Sequence, residues 1–199
     1  MMTNKKRKGA NFEVPSVEQL QAELKRERYQ NQYGKTLRST VYILIVVAAM
    51  AILVATLWLP VFRMYGSSMT PVLHDGDIVI SLKTSDYQQG DVIAFYYNNK
   101  ILVKRVIALP GELVDIERDG TVYVDNLELS ESYVDKKAYG DCNIDLPYQV
   151  PESRVFVMGD HREISIDSRN TSIGCVAEEQ IVGKLVFCVW PIDSFGAIN

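Results

Sequence analysis

Charged side chains are absent from residues 41–60, although they make up 23% of the 199-residue chain. Histidine occurs only twice, and the three cysteines, Cys142, Cys175 and Cys188, form no CxxC pair. This scarcity gives no support for a metal site or a cofactor, and it leaves one disulfide or buried free thiols equally open. The formal net charge of −4 argues against a nucleic-acid partner, because nucleic-acid-binding domains are typically basic.

The uncharged segment separates two halves of opposite charge. Residues 1–40 carry a net charge of +5, whereas residues 61–199 carry −9. Between Arg38 and Arg63 lie 24 uncharged, mostly apolar residues. About 20 helical residues suffice to cross roughly 30 Å of hydrocarbon, so the sequence predicts a membrane-spanning helix.

Aromatic residues and a proline mark the ends of this predicted span. Tyr42 and Trp58 stand where interfacial aromatic residues are favoured, and Pro60 would end the helix. A cleaved signal peptide is the main alternative, but its apolar core and its charged region are normally shorter. Because basic segments stay in the cytoplasm, we predict a single-pass protein of the cell membrane with three segments. They are a cytoplasmic tail (1–38), a transmembrane helix (39–62) and an extracytoplasmic domain (63–199).

The outer segment alternates short apolar runs with turn residues, which is typical of β structure. The pair Asn98-Asn99 lies between two such runs and is a strong hairpin signal. We therefore predict a mostly β fold, in which one N-terminal transmembrane helix is followed by an external β-rich domain of antiparallel sheets. Helical spacing of Leu20 and Leu24 behind a possible cap at Ser16 predicts a helix in the tail as well. The predicted strands are residues 78–81, 92–97, 101–109, 113–117, 121–124, 155–158 and 181–190.

Three short blocks of the outer domain combine residue types that carry chemistry. The first has two adjacent serines, the second sets Lys104 in a run of large apolar residues, and the third is dense in Asp, Arg and Ser. Strand alternation points Lys104 and Arg105 to opposite faces, so one of them faces the core or a cleft. Each block also has an ordinary structural explanation: the serines can simply form a turn, the lysine can extend to solvent, and the third block can be a loop held by ion pairs. A desolvated lysine, however, can act as a general base. The blocks are residues 64–77, 101–112 and 158–170.

Taken together and in this order, the blocks resemble those of the type I signal peptidases, which are membrane-anchored Ser/Lys endopeptidases. The resemblance covers residues 60–192. The family's Ser-Met-x-Pro motif is similar to residues 68–71, which implies that Ser68 is the nucleophile. The family's Lys-Arg followed by Leu-Pro-Gly-acidic is similar to residues 104–112, which implies that Lys104 is the general base.

The third block resembles the family's Gly-Asp-Asn-Arg…Ser-x-Asp-Ser-Arg motif at residues 159–169. By that resemblance Ser165 would hydrogen-bond to the lysine and orient it. Asp167 and Arg169 would brace the site. We expect no metal and no cofactor at this site.

The oxyanion hole would lie in the first block, whereas the departures from the family pattern lie in the second and third. The Ser68 N–H would donate to the oxyanion, and Gly66 stands where the family sometimes has a second, serine donor, so it offers only its backbone or an ordered water. Five positions depart from the residues more usual in the family, and we expect none of them to contact the nucleophile or the base. They are Ala108, Glu112, His161, Glu163 and Ile164.

The resemblance implies a serine endopeptidase that removes N-terminal signal peptides from exported preproteins at the outer membrane face, after Ala-x-Ala-like residues. Signal peptides and the lipid bilayer would be its partners. A Ser-His-Asp hydrolase is one alternative, but His74 beside Asp75 and His161 beside Asp160 point apart in extended segments. A catalytically inactive membrane-anchored β module that binds exported peptides is another, and a self-cleaving repressor with a similar dyad is a third.

Overall fold

The computed structural model describes residues 16–198 and begins with one long helix, α1 (Val17–Trp58). The Gln19 N–H donates to Ser16 Oγ at 3.3 Å, and the Ser16 N–H donates to Gln19 Oε1 at 3.0 Å. This reciprocal pair satisfies two of the otherwise unpaired N–H groups at the helix start, and it confirms the predicted cap at Ser16. The chain divides into two compact units after Leu53.

The apolar part of α1 is long and apolar enough to cross a membrane, and its side chains are exposed, as for Leu44 and Ile52. The helix ends at Trp58, before Pro60, as the proline predicted. Residues 61–62, which the sequence assigned to the span, instead form part of the first strand. A proline at the end of a helical segment leaves the following residues free to enter a sheet.

Within residues 16–198, twelve strands follow the helix, together with two short 3₁₀ helices, Glu178–Gln180 and Ile192–Ser194. Every long apolar run that the sequence assigned to a strand forms one, and the runs at 92–97 and 181–190 have the predicted bounds. The strands are β1 (Val61–Arg63), β2 (Ile78–Leu82), β3 (Val92–Tyr97), β4 (Lys100–Ala108), β5 (Leu113–Ile116), β6 (Val122–Val124), β7 (Leu127–Glu128), β8 (Tyr148–Gln149), β9 (Arg154–Met158), β10 (Val176–Ala177), β11 (Ile181–Trp190) and β12 (Gly196–Ala197).

The strands form two sheets in which every pair is antiparallel, which confirms the predicted fold class. The larger sheet has the order β1-β2-β11-β3-β4-β9-β10, with β12 also paired to β11, and the smaller has the order β7-β6-β5-β8. Asn98 and Asn99 join β3 to β4 with φ angles of 44° and 63°. Both central residues of a tight type I′ hairpin need positive φ, and asparagine tolerates it.

Within residues 16–198, buried side chains of the strands and of the loops between them form three core clusters, one of which includes residues of the first chemical block. Met69 and Leu73 are 2% and 1% exposed and pack into that cluster. The Leu73 N–H donates to the Met69 carbonyl at 2.9 Å, which closes a turn between these two buried side chains. The segment that carries Ser68 is thereby held against the core. The other buried members of this cluster are Met64, Val79, Val92, Ala94, Leu185 and Cys188.

Candidate active site

Ser68 lies in a tight turn whose next residue is buried. The Thr70 N–H and the Thr70 hydroxyl both donate to the Ser67 carbonyl, at 3.3 and 2.9 Å. Met69 occupies the core beneath the turn, which leaves the half-buried Ser68 side chain at the domain surface. The local sequence therefore presents one serine hydroxyl on a turn that packing and hydrogen bonds hold in place.

Lys104 faces this hydroxyl from the middle of β4. Its side chain is 4% exposed, and its Nζ lies 2.7 Å from Ser68 Oγ. Among residues 16–198, no carboxylate forms a salt bridge with the Lys104 ammonium group. The two residues that the sequence singled out for chemistry, 36 positions apart, are thus within hydrogen-bond distance of each other.

Burial lowers the pKa of Lys104 from its ordinary 10.5 to about 8, because the charged ammonium loses its hydration. The nearby charges act in both directions: the Asp167 carboxylate raises this pKa, and the Arg169 guanidinium lowers it. Desolvation is the largest of these effects. A lysine with a pKa near 8 has an appreciable neutral fraction at neutral pH, as a general base needs.

Ser165 does not make the hydrogen bond to Lys104 that the family resemblance implied. Its side chain is 2% exposed, and its Oγ has no hydrogen-bond partner within residues 16–198. The hydroxyl still lies near enough to the Asp167 carboxylate to contribute to lowering the pKa of that group. The orienting role of Ser165 remains a prediction, and the Lys104 Nζ is instead bonded to Ser68.

Asp167 and Arg169 form a buried ion pair within the third block, and the Asp167 carboxylate also binds the start of that block at Gly159. Arg169 Nε and Nη2 donate to the two Asp167 carboxylate oxygens at 2.8 and 2.9 Å, and the Gly159 N–H donates to Oδ2 at 3.0 Å. Burial would raise the pKa of Asp167, but the Arg169 hydrogen bonds and charge hold it below its ordinary value. The arrangement is consistent with the bracing that the resemblance implied for these two residues.

Two further buried arginine–carboxylate pairs support the site, and the sequence analysis assigned them no role. Arg105 donates from Nε and Nη2 to the Asp160 carboxylate at 2.9 and 2.7 Å, and Arg162 pairs with Glu131. All four side chains are nearly inaccessible. The high content of charged residues in the third block could have pointed to Asp160 and Arg162. Glu131 lies in a separate polar loop, where nothing in the sequence indicated a role for it.

Gly159 allows the third block to approach Ser68. A Cβ at this position would lie 2.5 Å from the Ser68 carbonyl oxygen and would also overlap the Ser165 side chain. No other residue type fits without displacing one of these segments. The glycine therefore sets the distance between the block and the serine turn.

The main-chain groups around Ser68 differ in their availability to a substrate oxygen. Within the described residues the Ser68 N–H has no hydrogen-bond partner. Gly66, with φ of 87°, donates its N–H to Asp75 Oδ1 at 2.7 Å. An exposed carboxylate thus already accepts the Gly66 proton in this conformation, and a second oxyanion donor at Gly66, from its backbone or an ordered water, stays a prediction.

Neither histidine contacts the Ser68 hydroxyl in the described part of the chain. His161 Nδ1 lies 2.8 Å from Thr70 Oγ1, and its main-chain N–H donates to the Ser68 carbonyl at 3.1 Å. The expectation that His161 would not touch the nucleophile is thus wrong for the Ser68 main chain. The neighbouring carboxylates are engaged elsewhere: Asp160 binds Arg105, and Asp75 binds Gly66.

A cavity of about 610 Å³ opens beside Ser68 and Lys104. Residues 62–66 line it from one side and residues 100–104 from the other. Its walls are thus formed mainly by two extended segments, next to the serine and the lysine. Among residues 16–198 no cluster of three metal-ligating side chains occurs, and the three cysteines are free thiols.

Comparison with known proteins identifies the family. Residues 37–190 match the family described as "Signal peptidase, peptidase S26". A signal peptidase IB of Staphylococcus aureus is 38% identical over 154 residues, which cover 67% of this chain and 79% of that protein. A signal peptidase I of Bacillus licheniformis is 31% identical over 166 residues, which cover 75% of this chain and 87% of that protein. A crystal structure of a signal peptidase I from Enterococcus faecalis is 34% identical and covers 50% of this chain and 97% of its own, with a TM-score of 0.43.

The class of protein is therefore that of the serine peptidases, in agreement with the serine that the fold presents to a buried lysine. Within that class, the chain belongs to the signal peptidase family, peptidase S26. The resemblance on which the sequence interpretation rested is thereby confirmed at the level of the family.

Proposed function

We propose that this protein removes N-terminal signal peptides from exported preproteins by a Ser68/Lys104 dyad, at the outer face of the membrane and after Ala-x-Ala-like residues. The observation that carries the proposal is the 2.7 Å distance between Ser68 Oγ and the buried Lys104 Nζ. Family membership supports the substrate class. The cavity beside the two residues and the strand edge of β4 that lines it support it as well.

The dyad would work by passing one proton back and forth. Neutral Lys104 accepts the Ser68 hydroxyl proton as Oγ forms a bond to the scissile carbonyl carbon. The ammonium then gives that proton to the leaving amine as the C–N bond breaks, and an acyl-serine remains. In the second half, Lys104 takes a proton from water as the water oxygen attacks the ester, and it returns the proton to Ser68 Oγ.

The Ser68 N–H is our candidate donor to the oxyanion that forms in each half. It is the nucleophile's own amide, and it has no partner within residues 16–198. A donor that is already fixed in place costs little reorganisation when negative charge develops on the substrate oxygen. Gly66 is excluded from this role as long as its N–H remains bonded to Asp75.

An extended substrate has a strand edge to pair with beside the dyad. Residues 100–104 of β4 pair with β3 on one side, whereas β9 pairs with β4 only from Arg105 onward. The other edge of residues 100–104 therefore has no strand partner in the described part of the chain, and it lines the cavity. A peptide added as a strand along this edge would place alternate side chains into the cavity and its backbone near Ser68.

The charge of the N-terminal segment and the place where preproteins emerge both favour one membrane orientation. The N-terminal 40 residues carry +5, so the positive-inside rule keeps them in the cytoplasm and puts residues 63–199 outside. Anchoring by α1 would confine the enzyme to the surface where membrane-inserted preproteins emerge, which raises their effective concentration. The cytoplasmic tail, the span and the outer catalytic domain are the three parts of this proposal.

The test is cleavage of a preprotein that carries a single Ala-x-Ala site by the full chain in detergent micelles. N-terminal sequencing of the product should show a cut directly after the second alanine. Replacing that alanine with phenylalanine should abolish the cut, because a small pocket cannot hold the ring. Cleavage at unrelated positions would contradict the proposed specificity.

Two matched serine variants test the nucleophile. Ser68→Ala should abolish cleavage, whereas Ser67→Ala, which changes the exposed neighbouring serine, should keep most of it. If the protein were an inactive peptide-binding module, neither variant nor the wild type would yield a cleavage product. Full activity of Ser68→Ala would overturn the dyad.

A further inference from the structure

His161 joins two segments that are far apart in the sequence. Its main-chain N–H donates to the Ser68 carbonyl oxygen at 3.1 Å, and its Nδ1 lies 2.8 Å from Thr70 Oγ1. The imidazole is half-buried between the serine turn and the third block. One residue thus contacts the turn both at the serine and two positions beyond it.

The hydroxyl of Thr70 decides the direction of the side-chain hydrogen bond. Thr70 Oγ1 donates to the Ser67 carbonyl at 2.9 Å, and a hydroxyl has one proton to give. Nδ1 of His161 must therefore be the donor to Thr70 Oγ1. The neutral Nδ1–H tautomer and the imidazolium both carry this proton, so protonation at Nε2 leaves the hydrogen bond intact.

The charged groups near the ring are engaged with other partners or lie at the surface. Asp160 is held by Arg105, and Lys136 pairs with Glu163 at 3.4 Å. Within residues 16–198 the ring makes its hydrogen bond to Thr70. His161 and several of these groups line a small cavity of about 210 Å³. The titratable groups that line it with His161 are His74, Asp135, Lys136, Asp160 and Glu163.

We propose that His161 is a positioning residue for Ser68: through Thr70 and the Ser68 carbonyl it holds the serine turn at the distance that Lys104 requires, and it takes no part in proton transfer. The inference rests on the proposed role of Ser68 as nucleophile. The side-chain hydrogen bond to Thr70 can be removed by substitution, whereas the main-chain hydrogen bond to the Ser68 carbonyl is kept in every variant. The relay from Nδ1–H through the Thr70 hydroxyl to the Ser67 carbonyl is therefore what mutagenesis can address.

Loss of the relay should affect turnover more than binding. The cavity beside Ser68 is lined mainly by residues 62–66 and 100–104, neither of which includes His161 or Thr70. A turn that can shift by a fraction of an ångström misaligns Ser68 Oγ with both Lys104 and the substrate carbonyl, and misplacement on this scale costs up to about 100-fold in rate. We expect kcat to fall about 10- to 100-fold while KM changes less than about threefold.

The experiment compares near-isosteric variants of the full chain in detergent, with the single-site preprotein as substrate. His161→Leu removes the donor and should lower kcat as stated, whereas His161→Asn places an amide N–H near the position of Nδ1 and should stay within about threefold of wild type. Thr70→Val should match His161→Leu, and the double variant should be no slower than either single one, because both remove the same relay. His74→Asn, at an exposed histidine of the same cavity, is the control and should be unaffected.

The outcomes separate this inference from the proposed function. An inactive Ser68→Ala together with a fully active His161→Leu would overturn the inference alone. Equal losses in His161→Asn and His161→Leu, or fully additive losses in the double variant, would overturn it as well. If His161→Leu has a lowered Tm, Thr70→Val decides, since a Val at that position keeps the shape of the side chain. An active Ser68→Ala would instead remove the proposed function on which the inference rests.

Discussion

Lys104 and Arg105 are neighbours on β4 and are both almost fully buried, but only the arginine has a carboxylate partner. Arg105 binds Asp160 through two hydrogen bonds, while the Lys104 Nζ faces the Ser68 hydroxyl. A paired guanidinium keeps its charge in the interior, whereas burial of an unpaired ammonium favours its neutral form. One strand thereby holds a structural cation and a candidate base side by side.

Replacing the base without removing its charge tests this difference. Lys104→Arg should lower kcat/KM by about 10⁴-fold or more, because a guanidinium stays protonated at any usable pH and cannot accept the serine proton. The double variant His74→Asn, His161→Asn should stay within about tenfold of wild type. A histidine base would produce the opposite pair of results in the same cleavage assay.

The pH dependence of the wild type should report the pKa of Lys104. The neutral amine is the active form, so kcat/KM should rise tenfold per pH unit below a midpoint of about 8 and level off above it. The measurement needs a substrate without titratable side chains beside the scissile bond. A midpoint that disappears in the double histidine variant would contradict the assignment.

The sequence predicted the sheet better than it predicted the site. Apolar runs such as residues 92–97 and 181–190 are bounded by turns and rich in β-forming residues, so local pattern alone defines them. Alternation along β4 could not show that both Lys104 and Arg105 are buried. That outcome depends on Asp160, which lies 55 positions away from Arg105.

The remaining differences from the sequence predictions concern hydrogen bonds made by loop residues. The bond from the Gly66 N–H to Asp75 and the bond from the His161 N–H to the Ser68 carbonyl are set by how the loops pack. Motif similarity assigns a residue to a position but not to a hydrogen-bond partner. For that reason Ser165 could be placed in the third block and yet not in its expected contact with the lysine.

The burial of Lys104 should cost stability at neutral pH. Its pKa is lower in the folded chain, so between pH 8 and 10.5 the unfolded chain binds more protons, and stability rises with pH across that window. Below about pH 8 the full cost, about 3 kcal/mol from the shift, is present. Lys104→Met should therefore be inactive but raise the Tm at pH 7 in a thermal unfolding experiment.

The control for this prediction is Lys83→Met, which removes a lysine that is exposed. It should leave the Tm nearly unchanged at every pH. The gain from Lys104→Met should shrink as the pH rises from 8 towards 10.5. A gain that does not depend on pH would mean that packing of the methionine, and not relief of the buried charge, is responsible.

The buried Asp167–Arg169 pair should be essential for stability. Asp167→Asn leaves the guanidinium without its carboxylate, and breaking a buried pair costs about 3–5 kcal/mol, or on the order of 10 °C in Tm. Glu163→Gln, in the exposed pair with Lys136, is the matched control and should cost less than about 1 kcal/mol. Because the pKa of Asp167 is lowered in the folded chain, the wild-type advantage should be complete above about pH 4 and fade as the pH falls below it. Equal shifts for the two variants would contradict the account.

The membrane orientation can be tested with single cysteine probes in intact cells. Lys136→Cys, at a side chain that is 75% exposed in the outer domain, should react with a membrane-impermeant maleimide, whereas Gln21→Cys should react only after the cells are permeabilised. Cys142 is only half-buried and could react with the maleimide, so it should first be changed to serine. The other two cysteines are buried and need no change. The expected pattern follows from the +5 charge of residues 1–40, which the positive-inside rule keeps in the cytoplasm. Labelling at position 21 and protection at position 136 in intact cells would put the dyad on the cytoplasmic side, where it could not meet signal peptides as they emerge, and would overturn the proposed function.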